Sequence, residues 1–339
     1  MNIFRKPILF IFMLGLMFAL SCSANKQATY RKSKTLMDTF VTITVVSDSK
    51  EKAETSIDNA FTVMERFGNR INFFSEESEL SLINKNAGVK EVKVSPETLD
   101  LIENAVYVSE KSGGAFDPTI GPLIKLWDFY KKIKPSYTEI SGVLHLVNYK
   151  NIVIDRNGST VFLKRKGMLL DLGGIAKGYA ADMAVADLKR NGIQAGIVAI
   201  AGDIKTFGAK PDGNPWNIGI RNPRQKSESD EVIAKIKLSD MAISTSGDYE
   251  RYFLQDGKRY HHLLVPRTGR PADCCRSVSI IADKGAFADA FSTAVFILGP
   301  EKGLELVQKL GMDAVIIDNN GRILTTQNIK RKIKIERFD

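Results

Sequence analysis

Asp289 and Thr293 stand four residues apart in Ala288-Asp289-Ala290-Phe291-Ser292-Thr293. On a helix that spacing sets a carboxylate and a hydroxyl on one face, two hard oxygen donors of the kind that hold magnesium. Taken alone, the pair also describes a solvated helix face or a cap. A second constellation is Asp171-Leu172-Gly173-Gly174-Ile175-Ala176-Lys177-Gly178. It reads as a strand delivering a carboxylate into a glycine turn that opens a helix, where free backbone amides and carbonyls can meet a ligand. Lys177 adds a point charge suited to phosphate. The plain alternative is a glycine turn that only packs helix on strand. The spacing matches neither the phosphate loop nor the dinucleotide fingerprint.

Two further segments carry unusual chemistry. Gly113-Gly114-Ala115-Phe116-Asp117-Pro118-Thr119-Ile120-Gly121-Pro122-Leu123 is a loop whose glycines permit close backbone approach and whose prolines fix its course. Loops this restricted bind something or brace a site. Tyr260-His261-His262-Leu263 contains two of the three histidines of the chain. Neighbours in a strand face opposite ways, so at most one of them points into a site, where it can act as a general base; structural histidines are the competing reading.

The elements that must position these residues follow from periodicity. Residues 39–47 alternate β-branched side chains and predict a strand. Ala53, Ile57, Phe61, Met64 and Phe67 recur at helical spacing. Ser95-Pro96 opens a second helix with Leu99, Ile102 and Val106 on its inner face and Gly113-Gly114 as its stop. Short strands are predicted at 152–155, 160–164 and 168–171, and a helix over 175–190 ends at Asn191-Gly192. Strands at 193–201, 216–221, 232–238 and 278–282 follow, then helices at 286–298 and 301–310. A hairpin of 314–317 and 323–325 turns at Asn319-Asn320-Gly321. Without strict βαβ alternation this is an α+β fold, with mixed, largely antiparallel sheets and packed helices in one catalytic unit over 35–339.

Arg5 and Lys6 precede an apolar run, 8–20, too short for a membrane span, so residues 1–21 read as an export signal. Ala19-Leu20-Ser21-Cys22 is similar to a lipoprotein cleavage site that makes Cys22 a lipidated first residue, with plain signal cleavage as the alternative. The polar residues from there to 34 read as a tether. The expected location is the cell envelope, lipid-anchored and facing the periplasm. The formal charge of +9 includes Arg5 and Lys6, and the other lysines are scattered, which argues against nucleic acid and suits anionic small ligands or membrane surfaces. Cys274 and Cys275 are adjacent, have no metal-ligand spacing and read as structural.

In order along the chain, these motifs resemble the ApbE family of FAD:protein FMN transferases from Leu36 to Phe296. The matching parts are Met37-Asp38-Thr39, Phe74 with Ser78-Glu79-Leu80-Ser81-Leu82-Ile83-Asn84, the segment from Gly113 to Leu123, and the one from Asp171 to Asp182. Further on they are the segments from Pro211 to Pro223, Ala242 to Phe253, His261 to Pro271 and Ala288 to Gly299. The resemblance implies a T-fold-like catalytic domain in which Asp289, Thr293 and the backbone carbonyl of Gly174 hold Mg²⁺ on the FAD pyrophosphate. It implies Met37, Phe74, Ala115, Phe116, Asp117, Asp171 and Lys177 as the FAD site, and His262 as the base that deprotonates the acceptor hydroxyl. FMN would then be attached by a phosphoester to threonine or serine, with AMP released. Acceptors would be flavoprotein subunits of membrane redox complexes carrying an Asp-Gly-x-Ser/Thr-Gly-Ala-Thr/Ser stretch. The chain departs from the family pattern at Ala199 and Ala201, where Asn and Gly are common, at Val265, where Asp is common, and at Phe74, often Tyr. A Mg²⁺-dependent FAD pyrophosphatase and an FAD-binding lipoprotein are the competing functions.

Overall fold

The computed structural model describes residues 27–224, 232–329 and 333–335. The expected export signal and Cys22 lie outside them. The chain begins with a hairpin, β1 (Ala28–Leu36) and β2 (Thr39–Ser47), followed by helices α1 (Lys50–Arg70) and α2 (Glu79–Lys85). Then come β3 (Val92–Lys93), α3 (Pro96–Lys111), α4 (Gly121–Ile124), α5 (Tyr137–Leu144), β4 (Ile152–Asp155), β5 (Thr160–Leu163) and α6 (Ala176–Arg190). A run of strands follows: β6 (Ala195–Ile200), β7 (Asp203–Phe207), β8 (Trp216–Arg221), β9 (Val232–Leu238), β10 (Ala242–Gly247), β11 (Tyr252–Gln255), β12 (Lys258–His261) and β13 (Cys275–Ala282). Helices α7 (Gly285–Leu298) and α8 (Pro300–Lys309) precede β14 (Asp313–Asp318), β15 (Ile323–Thr325) and β16 (Ile333–Ile335).

The main sheet is antiparallel throughout, in the order β1-β2-β6-β7-β10-β13-β14-β15. Period-two alternation gives it two apolar faces. On one, Val41, Ile43 and Val45 of β2 and Val278 and Ile280 of β13 meet the helices through Met64, Phe67, Phe291 and Phe296. Fully burying each such side chain contributes about 1.5–3 kcal/mol. The other face, with Val46, Ile243, Ile281 and Val315, is covered by Trp216, Ile218, Ile236 and Leu238 of a small sheet in the order β16-β9-β8. The layered α+β architecture expected from the sequence is the one observed.

Local capping agrees with the sequence. Ser49 accepts a hydrogen bond from the Lys52 amide at the start of α1, and Ser95 accepts one from Thr98 ahead of Pro96 at the start of α3. Val106 is only half-buried; Leu101, Ala105 and Val108 fill the inner face of α3 instead.

Two readings of local structure are corrected. The polar stretch taken for a tether is, from Ala28, an edge strand paired with β2 from Ala28↔Ser47 to Leu36↔Thr39. Its lysines reach over α1, Lys32 to Asp58 and Lys34 to Glu65, each at 2.8 Å. Charges on an edge strand discourage pairing with other chains, and they hide the strand from a hydropathy pattern. The segment 168–171 is not a sheet strand; its one ladder-type pairing is the bridge Ile120↔Leu169.

Candidate active site

The segment 168–171 owes its course to side chains and loops. Asn84 from α2 clamps Leu170, its Oδ1 accepting from the Leu170 amide at 2.7 Å and its Nδ2 donating to the carbonyl at 3.0 Å. The Asp171 amide donates to Pro118 O at 2.7 Å and the Gly121 amide to Leu169 O at 3.2 Å, so the glycine-proline loop flanks the same segment. Three motifs that are far apart in sequence thus meet at the start of α6. Asp171 Oδ1 accepts from the Gly173 amide at 2.8 Å. Burial pushes its carboxyl above the usual range, against that amide and the Arg251 charge.

Helices α6 and α7 meet backbone to backbone at Gly178 and Gly285. A Cβ added at Gly178 would lie 2.0 Å from Gly285 O, and one at Gly285 would lie 2.4 Å from Gly178 O. Only glycine allows this approach. It brings Asp289 of α7 to the first turn of α6, where Oδ2 accepts from the Gly178 amide at 3.0 Å and Oδ1 lies 3.8 Å from Lys177 Nζ. Lys177 also pairs with Asp203 of β7, whose other oxygen accepts from Ser244 of β10. Both carboxylates are buried, Asp289 at 4% exposure and Asp203 at 2%. Burial, with the neighbouring Asp203, pushes the Asp289 carboxyl up to about 7, against the pull of Lys177 and the Gly178 amide. Burial opposes the Lys177 charge as well, but Asp203 and Asp289 outweigh it and hold the ammonium above the ordinary lysine range.

One turn along α7, Thr293 Oγ1 lies 3.1 Å from Ser246 Oγ, which also meets Ser292 Oγ at 2.7 Å. A Cβ on Gly174 would lie 3.7 Å from Thr293 Oγ1 and 3.1 Å from Phe116 Cε2. Gly174 therefore lies beside Thr293 and Phe116, and Asp289 is one turn of α7 from Thr293. The donors are hard and few: one carboxylate, one hydroxyl and one carbonyl, and no group of three His, Cys, Asp or Glu suited to a metal is found among the described residues. That set fits magnesium, which binds through one or two carboxylates and leaves positions for water and phosphate oxygens.

Asp117 is committed to its own loop. Its Oδ1 accepts from Thr119 N at 2.8 Å and Oγ1 at 2.6 Å, and its Oδ2 accepts from Tyr149 N at 3.0 Å. Burial still pushes its carboxyl upward. Ala115, beside it, is half-buried. Met37 and Phe74 sit on other elements. Met37 holds φ 51° in the β1–β2 turn and packs toward Gly68 of α1. Asp38 beside it has φ 57°, so the two residues form a type I′ hairpin turn. Phe74, between α1 and α2, is 83% exposed, its ring edge-on to Phe73 with centroids 5.4 Å apart. Ala201, one of the family departures, also sits at positive φ, 51°, where glycine would relax the β6–β7 turn.

The two histidines divide as the strand argument requires. His261 is buried, its Nε2 2.8 Å from Ala272 O and its Nδ1 accepting from the Leu263 amide, which makes it structural. His262 Nδ1 lies 3.3 Å from Arg251 O. A carbonyl can only accept, so Nδ1 carries the proton and the Nε2 lone pair is free. Burial, then the charges of Arg251 and His261, with Lys177 adding to them, bring His262 down to about 3 and keep it neutral. Sequence reading did not assign Asp203, Ser244, Ser246 or Asn84. Ser244 and Ser246 carry a trace of signal, since they alternate on one face of β10.

Fold and site define a class: an α+β protein that buries a carboxylate pair and a lysine at a helix crossing, with a hydroxyl one helical turn away. The chain belongs to the ApbE family, whose model matches residues 37–316. It is 31% identical over 334 residues to the FAD:protein FMN transferase of Treponema pallidum, covering 93% of this chain and 92% of that one. It is 33% identical over 299 residues to one of that name from Klebsiella pneumoniae, 87% and 91% of the two chains. The solved ApbE protein of Thermotoga maritima superposes with a TM-score of 0.82 at 36% identity, over 90% of this chain and 99% of that one.

Proposed function

We propose that the chain is a magnesium-dependent FAD:protein FMN transferase that moves FMN from FAD to a threonine or serine of an acceptor flavoprotein and releases AMP. The observation that carries the reading is the free Nε2 of His262, fixed by the Nδ1 contact to Arg251 O in a neighbourhood charged by Lys177 and Arg251. The names of the relatives support it. His262 Nε2 takes the proton of the acceptor hydroxyl. The hydroxyl oxygen bonds to the FMN phosphorus, the pyrophosphate P–O bond breaks, and AMP leaves with the bonding pair. Asp289, Thr293 and the Gly174 carbonyl would hold magnesium, which when bound supplies neutralising charge to the pyrophosphate. Met37, the Phe74 ring and the Ala115-Phe116-Asp117 loop bind FAD, while Lys177 keeps Asp203 and Asp289 in register.

The test is stoichiometry. With FAD, Mg²⁺ and an acceptor polypeptide, one AMP should appear for each FMN attached, and chelation should stop both. AMP formed with free FMN and no attachment would instead make the chain a pyrophosphatase.

We also propose that the chain works in the cell envelope, anchored by lipid at Cys22 and serving subunits of membrane redox complexes. Cys22→Ser should move it from the membrane fraction to the soluble fraction. A mature chain without lipid mass at residue 22 would contradict this.

A further inference from the structure

Strand β10 lays two serines against the helix crossing, because Ser244 and Ser246 alternate onto one face. Ser244 is committed to Asp203, to which its hydroxyl donates. Ser246 meets α7 instead, its Oγ 2.7 Å from Ser292 Oγ and 3.1 Å from Thr293 Oγ1. Ser292 Oγ in turn lies 2.7 Å from the carbonyl oxygen of Asp289. Three hydroxyls and a carbonyl thus form one line, and both serines in its middle are buried.

The protons along that line have a single arrangement. A hydroxyl has one hydrogen to donate and two lone pairs with which to accept. The Asp289 carbonyl can only accept, so the Ser292 proton lies on it. Ser292 is then the acceptor toward Ser246, since two hydroxyl oxygens 2.7 Å apart with no proton between them would repel. That uses the Ser246 proton, and Thr293 must donate to Ser246 rather than accept from it. Each donor in the line is polarised by the next. With its proton turned to β10, Thr293 Oγ1 keeps its lone pairs on its other sides, and no further hydrogen bond among the described residues takes them. Gly174 is close to the same oxygen, an added Cβ there lying 3.7 Å away. A neutral hydroxyl binds a cation through a lone pair, which requires that its proton point elsewhere. Ser292 also occupies the Asp289 carbonyl, the acceptor four residues back to which a helical threonine otherwise turns.

We infer that Ser246 and Ser292 are positioning residues of this site, a hydroxyl relay that fixes the Thr293 proton on β10 and holds its oxygen as an acceptor toward a divalent cation. This rests on the magnesium reading above and adds to it two residues that act only through Thr293. The relay breaks no bond and transfers no proton; it fixes a rotor.

Mn²⁺ serves as the probe, its affinity for the full chain loaded with FAD, without acceptor, being read by electron paramagnetic resonance of the free ion. Ser246→Ala should weaken binding about 10–100-fold, the scale of a lost outer partner of a metal ligand. Ser292→Ala should weaken it as well, because the released Ser246 proton can swing onto Thr293 and reverse the line; this variant tests the relay from the helix without altering the strand. Thr293→Val removes the donor itself and sets the limit. Adding Ser246→Ala to Thr293→Val should change nothing more, whereas a merely structural role for Ser246 would give additive losses. Equal Mn²⁺ affinity in the wild type and Thr293→Val would remove Thr293 from the metal site and overturn the magnesium reading together with this inference. If Thr293→Val weakens binding and neither serine variant does, the inference alone is overturned. Additive losses in the double variant overturn it too.

Discussion

Asp289 is buried beside a second carboxylate, and the single ammonium between them does not satisfy both. Its folded pKa, about 7, stands above the ordinary carboxylate value, so the protonated form favours the fold. Without metal, that contribution is complete below about pH 4 and is lost as pH rises through about 7. Thermal unfolding of the metal-free chain should show this slope, and Asp289→Asn should flatten it. Mg²⁺ should raise the Tm of the wild type and leave that of Asp289→Asn unchanged. His262 has the opposite sign, its pKa brought down by burial and neighbouring cations to about 3. A bound pyrophosphate cancels Arg251 and Lys177 and raises it, so the acid limb of kcat should lie at higher pH than that of kcat/KM for FAD. Coincident limbs would contradict that electrostatic account. At this scale the sequence already marked the residues proposed for the site. Asp289 and Thr293 stood out by their helical spacing, whereas Gly174 and His262 were singled out only by the resemblance to the ApbE family. Asp203, Ser244 and Asn84 could not be singled out, since a lone carboxylate, hydroxyl or amide gains meaning only from partners 26 to 86 residues away.

The α6–α7 crossing is the element on which the site depends. Gly178→Ala puts a methyl group on a backbone carbonyl, which cannot move aside as a flexible side chain does. It should cost about 2–3 kcal/mol in denaturant unfolding and, by prising Asp289 from Lys177, remove most of the activity. Wild-type stability in this variant would mean that the helices do not touch as described. Helices and long strands were legible in the sequence because caps and periodicity mark them: Ser95-Pro96 opens α3, and β2 spans 39–47 as alternation predicts. The misreadings occur where backbone bonds are met unconventionally. Segment 168–171 bonds to an asparagine side chain and a proline carbonyl rather than to a sheet, and β1 carries its charges outward on an edge. Neither leaves a hydropathy pattern.

Across the whole molecule, one eight-stranded sheet separates two cores. The helical side brings Lys177 and Asp289 together, while β7 and β10 supply Asp203, Ser244 and Ser246 from beneath. The β11–β12 hairpin carries His262 in from the side, so the site closes only when helices, sheet and hairpin are all in place. No helix among the described residues is long and apolar enough to cross a membrane. The most direct test of the account is mass spectrometry of a threonine-containing acceptor polypeptide incubated with the chain, FAD and Mg²⁺. The predicted result is the mass gain of one FMN, reduced about 10²–10⁴-fold in rate by His262→Ala with FAD still bound, and absent in Asp289→Ala. An acceptor that stays unmodified while FAD is consumed, or one modified equally well by His262→Ala, would contradict it.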